Sequence, residues 1–265
     1  MSGTIAVAGV PWDEKSSYLK GCAAAPEAIR RAFFSPSANT CAENGHDFGN
    51  DGRFRFTGDM ALSSGPAVLG EIEAEAAESI RTGARPVFLG GDHAVTYPLV
   101  KAMAARYGRL NVLHFDAHPD LYDHLENDRF SHACPFARLW EEGAIHRHLA
   151  VGVRTLNTHQ KAQAEKFGAE ILEMKNFPRE PRFSFLGPVY LSLDLDVLDP
   201  AFAPGVSHHE PGGLSTRELI GLIQGLDVEL VGADIVEYNP LRDINGVTAM
   251  TAAKLLKEIA VKMLE

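Results

Sequence analysis

The feature that most constrains this chain is a set of short apolar segments recurring between amphipathic ones: Thr4 to Val10, Pro86 to Leu89, Leu110 to Phe115, His148 to Val153, Pro188 to Leu195 and Leu230 to Val236. Several are apolar at nearly every position, whereas a strand with one wet face would alternate. Strands of that kind need cover on both faces, which a parallel sheet between two helical layers provides. The intervening segments read as helices. Pro66 to Arg81 sets Val68, Leu69, Ile72, Ala76 and Ile80 on one stripe against Glu71, Glu75 and Glu78, and Gly83 stops it. Ser215 followed by Glu218 forms a capping box ahead of Leu219, Ile220, Leu222 and Ile223. Thr248 to Leu264 reads as a final helix with Ala252, Leu255, Leu256, Ile259 and Met263 inward, and Phe34 to Ala61 as loop with a short strand. No linker, charge block or repeat interrupts the alternation. Residues 1–265 therefore read as a single α/β domain of three layers, α/β/α, with a central, mostly parallel, doubly wound sheet. Ligands of such folds bind beyond the carboxyl ends of the strands.

Charge narrows the partner. With 25 Lys+Arg against 35 Asp+Glu the formal net charge is −10, and no dense basic cluster offers a footprint for nucleic acid or an anionic membrane. No apolar run is long enough to span a bilayer. A small or cationic partner is expected. Cys22, Cys41 and Cys134 are widely separated and odd in number, which argues against both a disulfide framework and a thiolate metal site. The opening MSGTIAVAGVPWDEKSS lacks a basic segment before an apolar run, so a reducing, cytoplasmic setting is the expectation.

Three strand ends carry the chemistry. Asn111 to Phe115 runs into Asp116-Ala-His118-Pro-Asp120, and alternate residues of an extended chain point the same way. Val189 to Leu193 ends in Asp194-Leu-Asp196, and Val87 to Leu89 ends in a Gly-Gly-Asp turn that presents His93. Two imidazoles and four carboxylates thus gather with no Lys or Arg among them, and buried carboxylates need a cation. Six ligands exceed what one ion normally takes from protein but suit two divalent ions sharing carboxylates, and oxygen-rich ligation without thiolate favours manganese over structural zinc. Asp92 reads as a hydrogen-bond acceptor or turn residue, Asp199 before Pro200 as a turn former, and Trp12 and Trp140 as core or interface.

The strings LGGDHAVTYP, HFDAHPDLYD, SLDLDVLDPAFAPGVSHHEPGGLS and VGADIVEYNP resemble the signatures of the ureohydrolases, the arginases and agmatinases. The resemblance extends to GVPWDEKSSYLKGCAAAPEAIRRAF and VTAMTAAKLLKEI and is nearest the plant-type arginase branch. It implies a binuclear manganese hydrolase, two Mn2+ per subunit, that splits the guanidinium of a linear guanidino compound into urea and an amine. Carried over by position, His93, Asp116, Asp120 and Asp194 would hold one ion and His118, Asp116, Asp194 and Asp196 the other, with Asp116 and Asp194 bridging. Asp120 would pass a proton to the leaving nitrogen, His132 would exchange protons with solvent, and Glu237 would orient the guanidinium. His208 and His209 would be loop residues lining the cleft rather than ligands. The family also implies a homo-oligomer, a trimer or hexamer.

Substrate is less constrained. After Gly152-Val-Arg154 this chain has Thr155 where animal-type arginases place the Asp that reads an α-amino group, and LYDHLENDRFS replaces their Asn/Ser-rich loop. That loop offers Asn127 and Arg129 to an α-carboxylate, so arginine, giving ornithine, is preferred over agmatine, giving putrescine. Another guanidino or formimino acid comes behind both. A zinc deacetylase-like amidohydrolase would lack the second site that His93 and Asp120 supply, and a catalytically dead regulatory homologue should have lost ligands that are all present here.

Overall fold

The computed structural model describes residues 3–265. Eight strands, β1 (Ile5–Gly9), β2 (Phe54–Asp59), β3 (Arg85–Leu89), β4 (Leu110–Phe115), β5 (Ile145–Val153), β6 (Glu170–Glu173), β7 (Val189–Asp194) and β8 (Leu230–Val236), form one sheet in the order β2-β1-β3-β8-β7-β4-β5-β6. Every pairing is parallel, the edges included. Seven α-helices cover it: α1 (Ala25–Phe33), α2 (Val68–Arg81), α3 (Thr96–Tyr107), α4 (Pro135–Glu141), α5 (Thr158–Phe167), α6 (Thr216–Gln224) and α7 (Val247–Leu264). The capping box at Ser215 and Glu218 is formed at the start of α6.

The side chains of one strand serve two cores. Leu113 and Phe115 of β4 join the core that Ile29 of α1, Leu219 of α6 and Leu256 of α7 complete, whereas Leu110 and Val112 join the core with Ile72 of α2, Leu99 of α3 and Leu139 of α4. That division is why these strands lack polar alternation. Strand β6 escaped the sequence reading because it is a four-residue edge, half-wet and bounded by Glu170 and Glu173.

Chain order and sheet order part company at the centre. Strands β3 and β4 follow each other in sequence but are separated in the sheet by β8 and β7, which arrive last. Connections diverge to either side of such a point and leave a crevice at the carboxyl edge. Close approach there requires glycine: a Cβ on Gly91 would stand 1.7 Å from the carbonyl oxygen of Trp12.

Candidate metal centre

The candidate ligands sit at the ends of three of these four adjacent strands. Beyond β3, Asp92 accepts from the Ala94 amide (3.1 Å), closing a single 3-10 turn that swings His93 inward. His93 is fully buried, and its Nδ1 lies 3.1 Å from Asp116 Oδ2, 3.0 Å from Asp120 Oδ2 and 3.2 Å from Asp194 Oδ2. None of the three approaches has hydrogen-bond direction, so Nδ1 is a buried polar atom without a partner. The other side of the ring explains why. Ser192 Oγ donates to Asp234 Oδ1 (2.8 Å) and can only accept at 3.0 Å from His93 Nε2–H, which leaves the Nδ1 lone pair facing three carboxylates. Ligands around a divalent ion with bonds of about 2.1 Å stand about 3 Å apart. A lone pair and three carboxylate oxygens at that spacing fit a cation.

A second group adjoins the first. His118 Nδ1 lies 3.0 Å from Asp196 Oδ2 and 3.3 Å from Asp116 Oδ1, so Asp116 offers one oxygen to each group, the arrangement a bridging carboxylate requires. Asp194 gives Oδ2 to the first group while its Oδ1 accepts from the Asp196 amide at 2.8 Å. Burial, with Asp196 and Asp116 beside it, pushes the Asp194 carboxyl well above the usual range, and Asp196 is raised too, chiefly by burial. Without a cation, Asp194 and Asp196 therefore favour their neutral forms more than a free carboxyl does.

Supporting groups hold these ligands. His114 Nε2–H donates to Asp116 Oδ2 at 2.7 Å, and its Nδ1 accepts from His148 Nε2 at 3.3 Å. Asp234, fully buried, takes Thr96 and Tyr190 hydroxyls on its Oδ2, each at 2.9 Å. The sequence reading named none of His114, His148, Ser192 and Asp234 as functional. His114 and Ser192 carry a signal, since His114 precedes Asp116 by two with the parity of His118, and Ser192 precedes Asp194 by two with the parity of Asp196.

A cleft opens over both groups, lined by Ser17, Tyr122, Thr155, Gln160, His208 and the candidate residues His118, Asp120, His132, Asp194, Asp196 and Glu237. Glu237 follows β8 in the left-handed region (φ 62°), as does Asp120 (φ 48°), conformations that cost energy in a non-glycine residue and concentrate at functional sites. Glu237 Oε1 accepts from the His93 amide and from His132 Nδ1, both at 2.8 Å, while its Oε2 faces the Cys22 thiol at 3.6 Å. Burial disfavours charge on both partners, yet the pair prevails: Glu237 is held down at about 2 and His132 pushed up to about 9. Asn127 and Arg129 are not brought to the cleft. Both are exposed, and the Arg129 guanidinium pairs with Asp123 (2.9 Å) and Glu141 (2.7 Å). His208 lines the cleft as expected, 5.3 Å ring to ring from His132, whereas His209 turns away onto the Pro204 carbonyl. Asp92 and Asp199 serve as acceptors in turns, as read from the sequence.

Known proteins resemble this chain throughout. Arginase 1, mitochondrial, of Arabidopsis thaliana is 41% identical over 272 residues, covering 96% of this chain and 80% of that protein. An agmatinase of Neisseria meningitidis is 34% identical over 267 residues, covering 96% and 85%. Among solved structures, arginase from Medicago truncatula superposes with a TM-score of 0.92 at 38% identity, covering 99% of this chain and 88% of its own. The arginase family model matches residues 3–261, a span that includes every strand end described above. The chain belongs to the arginase family.

Proposed function

We propose that this protein hydrolyses arginine to ornithine and urea with two manganese ions, held by His93, Asp116, Asp120 and Asp194 and by His118, Asp116, Asp194 and Asp196. The observation that carries the reading is the buried, ionised Glu237 beside His132 on the wall of the cleft over two oxygen-rich ligand groups. When bound, such ions make water a nucleophile near neutral pH. The chain's own groups do the rest. Glu237 offers two oxygens to the parallel N–H groups of a planar guanidinium. Because Oε1 is shared with His132, the incoming substrate competes for it and releases His132 Nδ1 to move protons. The leaving amine departs only when protonated, and Asp120, lining the same cleft, would carry that proton.

Arginine stands ahead of agmatine because the plant arginases are nearer in sequence than the agmatinase, 41% against 34% identity. Neither Arg129 nor Asn127 is retained as a reader of the carboxylate, which falls to neutral donors of the cleft such as Tyr122, Thr155 and Gln160. We read residues 1–265 as one domain, assembling as a trimer or hexamer and working in the cytoplasm. The three cysteines are unpaired, as a reducing compartment requires, and no described helix is long and apolar enough to cross a membrane. The Arabidopsis relative is named mitochondrial, so cell fractionation tests the location. Light scattering tests the assembly. The central test is release of urea, or of formamide from formiminoglutamate, over arginine, agmatine, guanidinobutyrate and formiminoglutamate at graded manganese. Arginine should give the highest kcat/KM with activity saturating at two ions per chain. Preference for agmatine, or saturation at one ion, would overturn the reading.

A further inference from the structure

His132 is buried, so a proton reaching it must come from somewhere. Its Nδ1 is committed to Glu237, and its Nε2 meets a single residue, Ser17, twice: the backbone amide donates at 3.3 Å and the hydroxyl lies at 2.8 Å. Ser17 is exposed and also lines the cleft. Ser17 therefore stands between the buried imidazole and the solvent-facing side of the cleft.

The loop that presents it is fastened at several points. The Lys15 amide and the Ser16 hydroxyl donate to the fully buried Asp92 Oδ2 (2.8 and 3.3 Å). The His132 amide donates back to the Lys15 carbonyl at 3.3 Å, and Lys15 Nζ pairs with Asp128 at 2.5 Å. Further along, Asp13 Oδ2 accepts from the Gly21 amide at 2.6 Å and the Ala23 amide at 3.2 Å. A serine held this firmly, with a hydroxyl free to rotate, can donate to the neutral Nε2 and accept from the protonated one.

We propose that Ser17 is the outer member of a two-residue proton relay joining His132 to solvent, an inference that rests on the reading of His132 as the proton-moving residue. Such a route serves the separate proton movements of the reaction rather than its net balance. Guanidinium and water become urea and an ammonium, with no net proton change, yet the water must give up a proton before it attacks and the departing amine must finally gain one. In the outward step His132 Nε2–H passes its proton to Ser17 Oγ while the Ser17 hydroxyl proton goes to a solvent water; the inward step reverses both transfers. Ser17 ends each step as a neutral hydroxyl.

Ser17→Ala removes the hydroxyl and keeps the amide contact that positions the ring. With manganese loaded, turnover on arginine should fall on the order of ten-fold, part of the 10²–10⁴ that positioned proton transfer contributes. KM should stay within about two-fold, the solvent deuterium isotope effect on kcat should rise, and Ser17→Thr or added imidazole should restore the rate. On metal-free protein above about pH 9, where His132 is neutral, its 15N NMR should show the Nδ1–H form in wild type and a displaced Nε2 resonance in Ser17→Ala. Unchanged kcat and isotope effect in Ser17→Ala would overturn the relay, as would a loss that neither Thr nor imidazole repairs. His132→Asn assayed alongside separates the failures: full activity in that variant removes the premise, whereas impaired His132→Asn with unimpaired Ser17→Ala removes the relay alone.

Discussion

Replacing Glu237 by Gln removes one charge and almost no volume, so the consequence can be worked from the ion pair. Glu237 is 4% exposed and His132 is 8% exposed, which limits solvent screening. In the variant the amide oxygen can still accept from the His93 amide and from His132 Nδ1, so the loss is chiefly coulombic. Its size is capped, because an unpaired imidazole sheds its proton instead of remaining as a buried charge. The proton affinity of His132 falls from about 9 towards its ordinary 6.5. At about 1.4 kcal/mol per pH decade the pair contributes about 3 kcal/mol at pH 6, about 2 at pH 7.5 and close to none at pH 10. The sign follows from both partners. His132 is raised, so its contribution is complete below 6.5 and lost as pH rises through about 9; Glu237 is depressed, so its contribution is complete above 4.5 and lost as pH falls through about 2. These describe one coupling energy, maximal between 4.5 and 6.5. For a chain of this size about 1 kcal/mol shifts Tm by roughly 2–4 °C, so metal-free Glu237→Gln should melt roughly 4–8 °C below wild type at pH 7.5. Thermal melts at pH 6, 7.5 and 10 should show that gap closing with pH, and in a His132→Asn background it should largely vanish. A gap that stays flat from pH 6 to pH 10 would mean that no ion pair joins these residues.

His114→Phe deletes the N–H on Asp116 Oδ2 beside the aromatic Phe136 and should weaken manganese binding roughly 10–100-fold in calorimetry with the fold retained; equal affinity would show that Asp116 needs no donor. Gly91→Ala drives a Cβ into the Trp12 carbonyl and strains the Asp92 amide to Trp12 (3.1 Å) and Glu237 amide to Gly91 (2.9 Å) bonds, so urea unfolding should show a loss of at least about 2 kcal/mol, and unchanged stability would refute the steric reading. Arg129→Ala should leave KM within about two-fold, because that guanidinium is about half exposed and paired with Asp123 and Glu141; a ten-fold rise in KM would return it to the substrate.

What could be read from the sequence follows from which forces act locally. Strands β4, β7 and β8 were legible because burial on both faces leaves an apolar run that no surface segment imitates, and Leu230–Val236 agrees end to end. The extension of β5 back to Ile145 was not, since Arg147 and His146 lie on a wetter stretch where tertiary pairing with β4 decides. The order β3-β8-β7-β4 was equally hidden, being fixed by crossovers rather than by any one segment. The candidate ligand set can nevertheless be proposed without the order, because it rests on charge and on placement at strand ends. Four carboxylates and two imidazoles at apolar strand ends, without a Lys or Arg, must either separate or share a cation, whichever strands are neighbours. Asn127 and Arg129 lacked such a constraint. Their loop is polar and exposed, so its sequence is compatible with side chains facing either way, and acidic neighbours at Asp123 and Glu141, six and twelve residues from Arg129, draw the guanidinium outward. Ser17 was hidden for a related reason: its partner is 115 residues away, and contacts of its loop with residues as distant as Asp92 and Asp128 hold an ordinary surface serine against His132.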